Sequence, residues 1–124
     1  MSAGNEIKLI SLEIWDSDWC GTNLGPMIEI TTNGETRGTG WKNAVYAGQV
    51  LVWDNILYDG LDDVVGLQAV GPYLQFRILG YHSDDFCPKR LTVKTYDGTK
   101  YRSPEMHDWV DGGKGRHIRY AYKI

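Results

Sequence analysis

Apolar and polar residues alternate with a period of two along most of the chain, the mark of half-buried strands rather than helices. Ile10, Leu12 and Ile14 share one face of a strand running from Ile7 to Trp15, which stops at Asp16. Met27 to Thr32 forms the next run. Asn33-Gly34 follows it and supplies the positive φ angles of a type I′ turn, predicting a hairpin to Glu35–Trp41. Val50–Leu57 and Tyr73–Leu79 alternate in the same way, with β-branched and aromatic residues. A second hairpin is predicted from Leu91–Tyr96, Asp97-Gly98 and Thr99–Arg102. Arg116–Tyr122 closes the chain with Ile118, Tyr120 and Tyr122 on one face. Helical candidates are few, and Ser103 to Val110 is one. Ser103 as a cap and Pro104 at the first helical position predict one or two helical turns, ended by Gly112-Gly113.

Short strands at regular spacing, separated by Gly and Asp loops, predict an all-β antiparallel sandwich. No linker interrupts residues 1–124, so one domain is expected. A chain of 124 residues is long enough to bury a core without metal or several disulfides.

The formal charge of −3 argues against non-specific nucleic-acid binding, which rests on clustered cations. Lys89, Arg90, Lys94, Lys100, Arg102, Lys114, Arg116 and Arg119 do gather in the C-terminal half. They read as solvated strand faces. No apolar run approaches the roughly 18 residues of a membrane span. The start, Met-Ser-Ala-Gly-Asn-Glu, lacks the charged-then-apolar pattern of a secretory signal. A cytoplasmic protein and one whose signal has been replaced by a start Met both remain open.

The residues argue against an enzyme. His82 lies close in sequence to Asp84 and Cys87, but neighbours on one loop seldom give the base–nucleophile geometry that activation needs. His107 and His117 read as surface residues. No nucleophile elbow, phosphate-cradling glycine loop or zinc-spaced Cys/His set occurs.

The acidic loops carry more. Asp16, Asp18 and Asn23 follow the first strand, and Asp84 and Asp85 follow the strand ending at Leu79. Calcium takes about six to eight oxygen ligands, which loops at one end of a sandwich can supply, although Asp is also an ordinary turn residue. Trp19, Trp41, Tyr81 and Phe86 interleave with these acids. Such side chains suit a membrane interface, a sugar-binding surface or simple loop packing. Cys20 and Cys87 are either two buried thiols or a disulfide. A bridge closing so long a loop would contribute about 4 kcal/mol and would favour an oxidising compartment.

Five segments, in order, resemble the PLAT (lipoxygenase-homology) family over nearly the whole chain, with Asn43 to Leu67 matched poorly. Asp18-Trp19-Cys20-Gly21-Thr22-Asn23 is similar to the family's Gly-Thr-Asp loop, and Val70–Ile78 to its Leu-Gly-Pro strand. Tyr81–Pro88 stands where the family has its Asp-containing loop. Leu91–Val93 with Asp97–Tyr101 matches a family hairpin, and His107–Val110 a segment near the family's end. The tail is most similar to the membrane-binding domain of clostridial alpha-toxin-type phospholipase C.

The resemblance implies an eight-stranded sandwich of two four-stranded sheets, with calcium in the loops at one end and docking to phospholipid or protein. Carried over by position, Gly21 and Thr22 would offer backbone oxygens, and Asn23 stands in the place of an Asp. Asp84 and the Asp85 carbonyl would complete one site, Asp18 is displaced by one position, and Asn43 would serve a second. A Cys20–Cys87 bridge across the two loops follows from the same resemblance, and with it a secreted or extracellular location.

The preferred expectation is a non-catalytic module docking through Trp19, Tyr81 and Phe86 with calcium at the acids. A carbohydrate-binding protein using Trp19 and Trp41 is the first alternative. A structural or protein-interaction domain without metal is the second.

Overall fold

The structure, a computed structural model, describes residues 4–17, 25–54, 64, 66–80, 86–108, 110 and 117–124. Among these, the elements are β1 (Ile7–Ile14), β2 (Met27–Thr32), β3 (Glu35–Gly38), β4 (Val50–Asp54), β5 (Tyr73–Leu79), β6 (Pro88–Thr95), β7 (Lys100–Arg102) and β8 (Arg119–Lys123). All pair antiparallel, in the order β3-β2-β5-β8-β7-β6-β1-β4. The order divides at its middle, where β7 and β8 share only the pairs Tyr101↔Lys123 and Arg102↔Tyr122. On either side lie four strands. Ile30, Phe76 and Ala121 from one half and Leu12, Trp53 and Val93 from the other belong to a single buried cluster. The two halves therefore face each other across one core, the sandwich that the alternating pattern predicts.

The alternation is used almost literally. Leu74, Phe76 and Ile78 of β5 point inward between half-exposed neighbours, as do Leu91 and Val93 of β6. In β1 the inward positions are Ile7, then Ile10, Leu12 and Ile14. The jump of three coincides with a register shift against β6 between Ile7 and Leu9. One extra residue on β1 turns the strand without exposing its apolar face. Trp53 is fully buried because its Nε1–H donates to the Gly40 carbonyl at 2.9 Å.

The first hairpin closes as the dipeptide requires. Asn33 and Gly34 have φ of 52° and 74°, and Thr32 pairs with Glu35. The second differs in turn type. Only Gly98 has positive φ, 88°, and its N–H donates to the Thr95 carbonyl at 3.2 Å. This is a three-residue turn with the glycine as its left-handed residue. Asp97 holds it, its Oδ1 accepting from the Thr99 N–H at 3.0 Å and from the Thr95 hydroxyl.

Those bonds, the Thr95 hydroxyl first, hold the Asp97 carboxyl below its ordinary value of 3.8. A carboxylate with a depressed folded pKa contributes stability that is present above the unfolded value and lost as pH falls through the folded one. Asp97→Asn is therefore expected to flatten the fall in melting temperature below about pH 4. Thermal melts of both proteins across that range would show it, and parallel curves would contradict it.

The expected helix at Ser103–Val110 is corrected: no residue of it that the structure describes is helical. Its backbone is taken by β6 instead. Ser103 N–H donates to the Leu91 carbonyl at 2.9 Å, the Leu91 N–H donates to Ser103 Oγ at 2.9 Å, and the Met106 N–H donates to the Lys89 carbonyl at 2.8 Å. A serine hydroxyl that would cap a helix here satisfies a strand. Ile118, Tyr120 and Tyr122 do share a face, and it is the solvent face, with Ala121 buried between the last two. Among the described residues no helix is long and apolar enough to cross a membrane.

Candidate functional site

Antiparallel topology sends every second connection to the same end of the sandwich. Glu13, near the end of β1, pairs with Val50 at the start of β4, and Ile14 with Pro88 at the start of β6. Met27, opening β2, pairs with Leu79, closing β5. The flanks of the β1–β2, β3–β4, β5–β6 and β7–β8 connections consequently gather at one end.

Trp15 is the hub of that end. Its N–H donates to the Cys87 carbonyl at 3.0 Å, and its carbonyl accepts from the Gly48 N–H at 3.2 Å. Its indole Nε1–H donates to the Met106 carbonyl at 2.7 Å. Lys89 Nζ lies 4.8 Å from the ring centroid, and the His107 ring lies 5.5 Å away. One residue, through its backbone and its ring, thus ties together all four connections. Sequence reasoning placed Trp15 at the end of a strand and gave it no role. Its position directly before the acidic segment was the available signal.

Pro26 and Lys42 bring the flanks closer still. The Lys42 N–H donates to the Pro26 carbonyl at 3.0 Å. A Cβ on Gly25 would sit 2.2 Å from the Lys42 carbonyl oxygen, so only glycine fits. Gly25→Ala should lower stability by about 1–3 kcal/mol through this overlap with backbone. An unchanged thermal melt would show that the two segments do not meet.

The expected site residues divide into those described and those not. Asp18, Trp19, Cys20, Gly21, Thr22, Asn23, Tyr81, Asp84 and Asp85 lie outside the described residues. Asn43 is exposed at the loop end, on the β3–β4 connection. Trp41 is there too, 48% exposed, and so is Tyr46 at 66%, which the sequence reading did not select. Asp16 is exposed beside Gly48, whose added Cβ would meet its Oδ1 at 3.2 Å. Among the described residues no three His, Cys, Asp or Glu side chains converge as a metal would require.

Phe86, expected as a contact residue, is corrected: its side chain is fully buried. Its N–H donates to the Val110 carbonyl at 3.0 Å and its carbonyl accepts from the Val110 N–H at 2.9 Å, a two-bond bridge that turns the ring into the core. Cys87 beside it is 8% exposed, and it is not a free thiol.

Away from the loops, Tyr73, Tyr120 and Tyr122 cluster on the outer face of β5 and β8, with ring centroids 5.5 and 6.4 Å from Tyr73. Beside them Arg119 donates to both carboxylate oxygens of Asp108, at 3.0 and 2.6 Å. Those bonds hold the Asp108 carboxyl below its ordinary value.

No family model matches the sequence, and a search of curated proteins found no match. Solved structures match in fold. The coral 8R-lipoxygenase, whose structure is described as showing calcium activation via a C2-like domain, is 19% identical with a TM-score of 0.56, over 94% of this chain and 17% of that one. A lipoxygenase in complex with arachidonate is 19% identical with a TM-score of 0.59, over 95% of this chain and 16% of that one. Alpha toxin from Clostridium absonum is 14% identical with a TM-score of 0.59, over 100% of this chain and 32% of that one. The fold is thus the PLAT-like β-sandwich that accompanies larger proteins. This chain spans a third or less of each.

Proposed function

We propose that this chain is a non-catalytic docking module whose loop end holds calcium and, through it, contacts a phospholipid surface. The observation that supports this is the convergence of the flanks of four connections around Trp15. The expected ligands sit in the segments between those flanks. Their chemistry fits a hard cation: Asp18, Asp84 and Asp85 offer oxygens, Asn23 and Asn43 amide carbonyls, and Gly21 and Thr22 backbone carbonyls. An anionic loop approaches phosphate only when a metal inverts its charge. Trp19, Tyr81, Trp41 and Tyr46 are the aromatic residues suited to the interface. The calcium activation described for the coral lipoxygenase through its C2-like domain is in keeping with this reading.

A Cys20–Cys87 disulfide belongs to the same proposal. What supports it is position: Cys20 lies in sequence on the β1–β2 connection, and Cys87, on the β5–β6 connection, accepts the Trp15 N–H at the start of the β1–β2 one. Such a bond clamps the β1–β2 and β5–β6 connections together and fits a secreted location.

Calorimetric titration of chelator-treated protein with calcium tests the metal site. Saturable binding that raises the melting temperature in the wild type, and is lost in Asp84→Asn/Asp85→Asn, is expected. Absence of heat in the wild type would remove the metal from the proposal.

A further inference from the structure

The outer face of β7, β6 and β1 carries a shallow groove, bordered at Arg102 by Tyr122 of the tyrosine cluster. Glu13, Arg90, Thr92, Lys94, Lys100 and Arg102 line it. In sequence these cations read as separate solvated positions, and the register collects them. Lys94 stands directly opposite Lys100, and Arg102 opposite Thr92. Like charges facing each other across a ladder are destabilising.

Two further observations point the same way. Lys94, Lys100 and Arg102 make no ion pair among the described residues, and Arg90 reaches Glu105 only at 3.4 Å. The Nε–H of Arg90 is buried with no hydrogen-bond partner, an uncommon cost in a folded protein. A bound anion would neutralise the lysine pair. The Arg90 guanidinium, whose Nε is enclosed by protein, would add the charge of its exposed end.

We propose that this groove docks on the phosphate headgroups of an anionic phospholipid bilayer, without calcium. The charge pattern selects that partner. The chain as a whole is net acidic at −3, so attraction comes from one face and orients the protein on a flat anionic surface. A nucleic acid would need a longer basic track than one groove that has Glu13 within it and Glu105 at one end. The proposal shares the lipid partner with the reading above but does not depend on the metal.

Co-sedimentation in chelator at low salt tests it, using vesicles of phosphatidylcholine with and without phosphatidylserine. The wild type should bind only the phosphatidylserine vesicles and should be released by added salt. Each cation removed costs about fivefold, so Lys94→Gln/Lys100→Gln should weaken binding about 25-fold. The variant should melt at or above the wild-type temperature, since it removes a like-charge pair, which separates lost docking from lost folding.

Unchanged binding by the variant, or no wild-type binding in chelator, would overturn the proposal. Equal capture of a short single-stranded oligonucleotide would overturn the assignment to lipid. Repeating the assay with calcium keeps the two readings apart. Asp84→Asn/Asp85→Asn should lose only the calcium-dependent increment, and the lysine variant only the part seen in chelator.

Discussion

Phe86→Ala should cost about 3–5 kcal/mol of stability, a fall in melting temperature of roughly 10–20 °C for a chain of this size. The ring is fully buried, and truncating it leaves a cavity where the β5–β6 and β7–β8 connections meet. The damage would spread along defined bonds. Phe86 is held to Val110 on both backbone groups, and the next residue, Cys87, accepts the Trp15 N–H. Loosening this corner therefore loosens the flanks of the candidate site as well. A contact residue would behave differently, leaving the melt unchanged and weakening only binding to lipid. Thermal melts of the two proteins decide between these outcomes.

The second large effect concerns the cysteines. Reduction of the proposed Cys20–Cys87 bridge should cost about 4 kcal/mol, because the bond closes a long loop in the unfolded chain. The melting temperature should fall in reductant, and Cys20→Ser/Cys87→Ser should melt at the reduced wild-type value in either condition. Mass mapping without reductant should recover the two cysteine peptides joined. Recovery of both as free thiols would remove the clamp, and with it the argument for an oxidising compartment. Labelling of the folded protein is a poorer test, since burial alone would hide Cys87.

Most of the strand framework is legible in the sequence because it rests on a local rule. Alternation with period two needs only neighbouring residues to be read, and Asn33-Gly34 states its turn type outright. Errors arise where a tertiary partner decides. Ser103-Pro104 carries a genuine helix-start signal, yet the Ser103 hydroxyl and N–H are both engaged by Leu91 of β6. Phe86 sits among acids in sequence, and only the bridge to Val110 turns it inward. The last strand shows the limit of periodicity: Tyr120 and Tyr122 define a face correctly, but an amphipathic ring does not say whether that face is wet. Trp15 could not be recognised as a hub because its partners are far away in the chain, Met106 being 91 positions off. The groove over Lys94 and Lys100 was invisible for a related reason. A hairpin prediction gives the pairing of two segments, whereas the accumulation of charge depends on register across three strands.

Asp18, Gly21, Thr22, Asn23, Asp84 and Asp85 were legible as candidate ligands from their place after the first strand and after the strand ending at Leu79, with the resemblance supplying their roles. The loop end is the place to test, because the flanks on either side of these segments are fixed by Trp15, Gly25 and Lys42.

The most direct measurement counts protein bound to phosphatidylserine-containing vesicles as calcium is titrated into chelator-treated samples, for the wild type and Asp84→Asn/Asp85→Asn. Calcium-assisted docking predicts that wild-type binding rises with calcium above its level in chelator, while the variant stays at that level. Identical curves for the two proteins, or a wild type indifferent to calcium, would contradict it.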